Sequence, residues 1–536
     1  MRREYRLVFL AVLLAFSARA QATTYSVKTS GGDYATIQAC ANAMAAGDTC
    51  TVYAGTYNEV VSVSSGSAGN YKILNVNGSD TVNVYGFTIG SHVKIIGFNI
   101  TNPSSPASHA CVSVNSGSTD FYITNNKMTS CGNGQSMISE PLSSTGVTYG
   151  YIQGNTLTYG CSTASAPNTC TGIFLDGNHQ LIENNDISHV SDGMTNYANY
   201  SVFRGNTMHD TLTGECGSHS SNCHIDFIES EPVVGTTPPS QYNLYEGNTV
   251  RNNTGGGGNN HTFLTQGDGC NGQCSHTIIR YNVSAHLGSA TGGGYGILDQ
   301  LGGYTYVKTY NNTSACVGIN NDGADYFGDN STNGSVINSI YYFCQAVTIP
   351  PYSAYGGAQT GFTSSHNLAF CSTGTCSFQD LISTDAASKL NVNPQFVNAS
   401  GDDYRLGASS PAIGAGTYLT TASNNGSAST SLTVADASFF YDGAGIVTAD
   451  WIRIGSSTTA QIASVNYANN TITLTSPVSW SSGAGVYLYK DSRGNVVLNG
   501  ANPDLGALPS GSSSAPPPPP TSSAPNPPTG LTATVN

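Results

Sequence analysis

Tyr151-Ile-Gln-Gly-Asn155, Leu181-Ile-Glu-Asn-Asn185, Val202-Phe-Arg-Gly-Asn206, Leu244-Tyr-Glu-Gly-Asn248 and Ile278-Ile-Arg-Tyr-Asn282 are five versions of one short β-like phrase. Its closing asparagine recurs at Asn99, Asn126, Asn155, Asn185, Asn206, Asn248, Asn282, Asn311, Asn338 and Asn367. The intervals are 27, 29, 30, 21, 42, 34, 29, 27 and 29 residues, and 42 is twice 21. Self-similarity at 20–50 residues signals a solenoid, propeller or array. Short strands without a helical period select a solenoid wound from strands.

In such a coil, equivalent residues stack about 4.8 Å apart, the spacing of neighbouring strands. Stacked Asn side chains can bond along the axis, and Asn tolerates the left-handed backbone that bends require. The repeated Asn is therefore read as structural. A second row has the same character: Glu183, Arg204, Glu246 and Arg280 alternate in sign at one place in the phrase, with Lys308 as an extension. They are expected to form cross-strand ion pairs, each worth little at a surface.

The N-terminus reads as a secretory signal over 1–20. Arg2, Arg3 and Arg6 are basic, Leu7 to Phe16 apolar, and Ala18-Arg-Ala20 a small-x-small cleavage site. The apolar run is too short to span a bilayer, so the mature chain is expected outside the cytoplasm or on the cell surface, as a monomer. Fourteen cysteines fall into close pairs: 40/50, 111/131, 161/170, 216/223, 270/274, 316/344 and 371/376. An even count in an exported chain implies disulfides. Without residues 1–20, 13 basic and 30 acidic residues remain, a net charge near −17. That excludes nucleic acid as a natural partner. It also repels an anionic polysaccharide unless calcium or a local basic cluster intervenes.

Tyr34-Ala-Thr-Ile-Gln-Ala-Cys40 continues as a helical segment to about Ala46, followed by strand and turn over Thr49 to Asn58. This opening resembles the N-terminal cap of right-handed parallel β-helix proteins of the pectate-lyase-like superfamily. A cap is physically required, because an open solenoid end exposes core and strand edges. The stretch from Asn393 to Gly416 resembles the closing segment of secreted bacterial members, in which a Pro-Asp-Ile-Gly-Ala-like phrase soon follows. Here its counterpart, Pro503-Asp-Leu-Gly-Ala507, comes about 90 residues later. The resemblance thus implies a β-helix over 21–418 and 491–508. Short alternating strands suggest a small β module inserted at 419–490. Residues 509–536 form a Pro/Ser-rich linker. It ends in Pro527-Pro-Thr-Gly-Leu-Thr-Ala-Thr-Val-Asn536, which resembles the first strand of a fibronectin type III domain.

A second register lies upstream of the asparagines. Its stretches end at Asn115, Glu140, Asp176, Asn196, Glu229, Gln266 and Gln300, and are read as strands opening onto one polar stripe. The titratable groups are densest at residues 191–266. His224, Asp226 and Glu229 share a strand, His261 is expected to stack beside His224, and Asp192 lies one coil before. Histidines with carboxylates can serve as general acid and base. Asp176, Gln266, Gln300 and Asp299 are the candidate substrate contacts. Glu229 and Asp176, two coils apart, would stand about 10 Å from one another, near the upper end of the roughly 6.5–9.5 Å of inverting glycosidases. Carboxylates on adjacent coils, about 5 Å apart, could instead hold calcium. For any single residue the alternative is a solvated polar stripe.

Ser191-Asp-Gly-Met resembles the Asn-Thr-Asp-Gly strand of polygalacturonases, with Asp192 at the acidic position. The family's adjacent Asp pair, Gly-His-Gly and Arg-x-Lys are missing, so that activity is not carried over. His224-x-Asp226-x-x-Glu229 resembles a strand of β-helix proteins and carries no reaction with it. The Gly runs 255–258 and 292–294 precede no helix and read as turns rather than phosphate cradles. Among the many tyrosines, Tyr295, Tyr304, Tyr306 and Tyr310 sit in the later coils, where cross-strand packing competes with stacking on sugar. The leading expectation is an exported β-helix that hydrolyses a polysaccharide through Asp226 and Glu229 with His224 and His261. A polysaccharide lyase and a non-catalytic glycan-binding or adhesion module are the alternatives.

Overall fold

A computed structural model describes residues 22–511 apart from 102–108, 132–135, 143–145, 161–170, 212–224, 233–238, 255–259, 271, 289–292, 319–322, 329, 349, 355–359, 379–384 and 386. The expected leader, His224, the cysteine pairs 161/170 and 216/223, the Gly run 255–258 and the linker from 512 onward lie outside the described residues. The chain is a right-handed parallel β-helix. Among the described residues two parallel sheets, of 14 and 22 strands, run along it, and an apolar core extends from Val27 to Cys376. The helix Ile37–Ala43 covers the first coil. Thr36 caps it, accepting from the Ala39 N–H at 3.1 Å, and Glu59 accepts from the N–H groups of Ile37 and Gln38. It stops short of Ala46 because the Asp48 carboxylate takes the Ala45 N–H into a turn.

The asparagine ladder is internal and continuous. Each backbone N–H donates to the next Asn Oδ1, from Asn126 through Asn155, Asn185, Asn206 and Asn248 to Asn282, at 2.9–3.1 Å. The 42-residue interval between Asn206 and Asn248 is thus one coil, its extra length an excursion. Beyond Asn282 the expected register slips by one. Asn282 donates to Asn312, Asn312 to Ser339 and Ser339 to Asn367. Asn311 and Asn338 instead precede the ladder residue and have positive φ, as do Asn125, Asn184 and Gly154. The left-handed bend therefore belongs to the neighbour of the ladder Asn. Asn99 stands outside the ladder and bonds to Asn83.

The charged row forms as spaced. Glu183, Arg204, Glu246 and Arg280 stand in register on successive strands, with ion pairs between Glu183 and Arg204 and between Glu246 and Arg280. It is not a surface row, and Lys308 does not continue it. Lys308 is in register with Ile278, and Tyr310 follows Arg280. Between Thr420 and Lys490 six antiparallel strands form a separate sheet, whose apolar side packs on Leu181, Val202, Leu244, Ile278 and Ile337. Asp450 grips Arg280 with two contacts of 2.7 Å, and Lys308 meets Asp436 at 2.8 Å. The closing phrase then returns to the solenoid. Leu505 N–H donates to the Ala412 carbonyl and Gly506 N–H to that of Asn338. Disulfides join 40/50, 111/131, 270/274, 316/344 and 371/376, of which 316/344 staples adjacent coils.

Candidate functional site

Strands Thr171–Leu175, Asp192–Asn196, Asp226–Ser230, Asn260–Gln266 and Gly294–Leu301 succeed one another in the larger sheet. Asp192 is in register with Asp226, Asp226 with His261, and His261 with Tyr295. Three positions on, Thr195, Glu229, Leu264 and Asp299 form the parallel row. In a plain strand residues three apart face opposite sides. Here Phe227 and Ile228 both enter the core, so Asp226 and Glu229 both turn outward. Gly193 makes room for this bend: a Cβ there would fall 2.6 Å from the Phe227 carbonyl oxygen.

The register corrects the expected alignment by two residues. Asp226, not His224, is the neighbour of His261, and Glu229 stacks on Leu264, not Gln266. The polar strand ends misled because the bends add residues unequally from coil to coil. Between His261 and Phe263 the pairing itself shifts, since Tyr295 to Asp299 contains one residue more than His261 to Leu264. The shift carries Asp299 to His261.

One carboxylate oxygen from each of Asp192, Asp226 and Glu229 lies within 4.8 Å of the other two. Asp226 is fully buried, while Asp192 and Glu229 are partly open. His261 is clamped by two coils, with Nδ1 at 2.5 Å from Asp226 and Nε2 at 3.1 Å from Asp299. Its ring stacks on Tyr295 at 5.3 Å, and Tyr326 follows at 6.1 Å. Burial opposes charge on this imidazole, but Asp226 and Asp299 outweigh it and push its pKa up to about 10. Burial, helped by Glu229, Glu231 and Asp176, pushes the neighbouring Tyr197 hydroxyl up to about 12.

Five expected site residues thus come together: Asp192, Asp226, Glu229, His261 and Asp299. Asp176 does not stack two coils below Glu229. The row of Glu229 contains Thr195 and Phe174, and Asp176 is buried with its N–H on Glu140. Gln300 is buried as well, its amide donating to the Tyr304 carbonyl. Gln266 ends its strand half-buried. Sequence reading missed Tyr295 and Tyr326 as members of the cluster. The signal was present in Tyr295-Gly-Ile-Leu-Asp299, one residue longer than its counterpart.

Carboxylates this close repel, and a shared proton or a divalent cation between them would relieve what His261 does not offset. Their donor set is all oxygen, and two ligands each about 2.4 Å from one calcium ion lie no more than about 4.8 Å apart. The three residues fit a hard cation.

No family model matches the chain, and no curated protein matches it in sequence. Solved structures do. The pectate lyase Pel9A is 15% identical, with a TM-score of 0.41, covering 74% of this chain and 92% of its own. XylC in complex with xylose is 10% identical, with a TM-score of 0.44, covering 86% and 99%. The α-1,3-glucanase catalytic unit from Streptomyces thermodiastaticus is 14% identical, with a TM-score of 0.37, covering 69% and 68%. Likenesses this distant leave the fold to the strand ladders described above, which establish a parallel β-helix unaided.

Proposed function

We propose that this protein cleaves a polysaccharide outside the cytoplasm by carboxylate acid–base chemistry. The observation that carries this reading is the convergence of Asp192 and Asp226, from one row of stacked coils, with Glu229 from the row beside it. A solenoid face offers successive sites at the strand spacing, which suits a polymer. His261, charged up to about pH 10, is a poor general base; it holds Asp226 in place and offsets the negative charge. Asp192 and Glu229, the two partly open carboxylates, are then the groups that meet substrate. One protonates the departing glycosidic oxygen, and the other either attacks the anomeric carbon, forming an ester that water then hydrolyses, or deprotonates the water that attacks it. Their closeness lies nearer the roughly 5–5.5 Å of retaining glycosidases than the wider gap of inverting ones. The five disulfides among the described residues support an oxidising compartment, and no described helix is long and apolar enough to cross a membrane.

The fit of the same three oxygens to calcium favours a second reading, in which a cation at Asp192, Asp226 and Glu229 captures an anionic glycan for elimination or for binding alone. The test is product analysis on neutral and uronate polysaccharides, with and without chelator. New reducing ends that survive chelation and vanish in Glu229→Gln support hydrolysis. Unsaturated, chelator-sensitive products would replace it with the second reading, and binding without products would overturn catalysis altogether.

A further inference from the structure

Where the inserted sheet meets the solenoid, beside the smaller parallel sheet rather than the larger one that carries the acid cluster, an aromatic stack is left partly open. Tyr149, His179, Tyr200, Tyr242, His276 and Tyr306 occupy one left-handed position on successive coils, with φ between 51 and 58°. Their rings stack at 5.2, 5.1, 4.8, 4.8 and 4.8 Å, which is the strand spacing itself. The ring faces are therefore spent on one another, and the edges point outward. Tyr467 of the inserted sheet leans on this column, 5.2 Å from Tyr242 and 4.9 Å from His276. It stops short of Tyr200, whose ring remains exposed.

The gap is a slot of about 340 Å³ lined by Tyr200, Tyr242, Tyr441, Asp442, Asn466 and Tyr467 among others. That volume falls at the lower end of small-molecule sites, roughly 300–1,000 Å³. A second observation points to a ligand. The Tyr441 hydroxyl, on a side chain 2% exposed, has no hydrogen-bond partner among the described residues. A buried hydroxyl without a partner costs about 1–3 kcal/mol. Tyr467, in contrast, satisfies its hydroxyl on the Phe440 carbonyl.

We infer that this slot binds one unit of a neutral saccharide, separately from any cleavage at the acid cluster. The outward edges of Tyr200 and Tyr242, with Tyr467 beside them, give apolar contact to the C–H groups of a pyranose and leave its hydroxyls to polar partners. Asp442, at the mouth, accepts hydroxyl groups, and the Tyr441 hydroxyl can both donate to and accept from one. Phosphate and uronate are disfavoured, since the lining contains no Lys or Arg and does contain Asp442. A wholly apolar ligand would take that carboxylate out of water with only the Ala444 and Val465 N–H groups to compensate. A bound chain would run beside the inserted sheet, tethering polymer to a face other than the one that carries Asp226.

The test is calorimetric titration of the full-length Glu229→Gln protein, in which substrate is not consumed. The probes are cellotetraose, xylotetraose and mannotetraose, with tetragalacturonate and tetramethylammonium as charged controls. At least one neutral tetrasaccharide is expected to bind, with affinity falling tenfold or more in both Tyr441→Phe and Asp442→Asn, and with the Tm of Tyr441→Phe no lower than that of its parent. Binding of no neutral probe, of a charged control alone, or binding indifferent to both substitutions would overturn the inference. Loss of cleavage in Glu229→Gln reports on the acid cluster alone, so the two readings fail separately.

Discussion

His261 and Asp226, 35 residues apart in the chain, stand one coil apart and meet at 2.5 Å, Nδ1 to Oδ1. With Asp299 on the other side, the imidazole becomes a fixed cation inside an acidic cluster rather than a proton carrier.

The charge on His261 has a pH signature. Its folded pKa, about 10, lies above the ordinary 6.5. Its stabilising contribution is therefore complete below about pH 6.5 and is lost as pH rises through 10. The stability gap between the wild type and His261→Gln is expected to shrink over that window, by a few kcal/mol. Urea unfolding at pH 6.5, 8 and 10 measures it; a gap constant with pH would mean that the imidazole is neutral.

Glu140 behaves in the opposite sense to an ordinary carboxylate. Burial pushes its pKa up to about 7, against hydrogen bonds from Gln180 and the Asp176 N–H. A raised carboxylate pKa favours folding below the unfolded value of 4.5 and loses that advantage as pH climbs through 7. Glu140→Gln keeps an acceptor without the charge. Its stability relative to wild type is expected to improve by about 2–3 kcal/mol between pH 5 and 8, read from parallel denaturant curves.

The inserted sheet is anchored by a buried ion network. Arg280 is fully buried between Glu246 and Asp450. Asp450→Asn removes one charge from it, and breaking such a pair on one side costs about 3–5 kcal/mol. Proteolysis should then begin within 420–490, with the parallel coils unfolding later. An unchanged digestion pattern would contradict the anchoring.

The ladder and its displaced neighbours should respond differently. Asn206→Leu strips the Asn185 N–H of its acceptor and the Ile182 carbonyl of its donor, costing roughly 2–4 kcal/mol. Asn311→Gly, which keeps the left-handed backbone, loses only the bonds to the closing segment and should cost less than half as much. Thermal unfolding of the two variants separates them.

The winding of the chain was legible because it depends on residues repeated every coil: the asparagines at 155, 185, 206, 248 and 282, and the alternating charges at 183, 204, 246 and 280. The cluster was legible in membership but not in register. Asp192, Asp226, Glu229, His261 and Asp299 could be picked out as titratable groups crowded into consecutive strands. Whether His261 faces His224 or Asp226 depends on residues added at bends, such as the extra one before Asp299, and these obey no period. Burial was illegible for a related reason. Arg280 reads as a surface residue until Asp450, 170 positions later, folds over it.

The one-residue slip at Asn311 and Asn338 has a mechanical consequence. Freed from the internal ladder, Asn338 exchanges two hydrogen bonds with Thr417, and Asn311 reaches the Asp504 carbonyl. These attachments flank the six-stranded sheet in the chain, so both of its ends are fastened to consecutive turns of the spring. It cannot swing like a flag on a single hinge. Pulling it away would require unlatching two hasps, and the later one can close only after the turns beneath it have been wound.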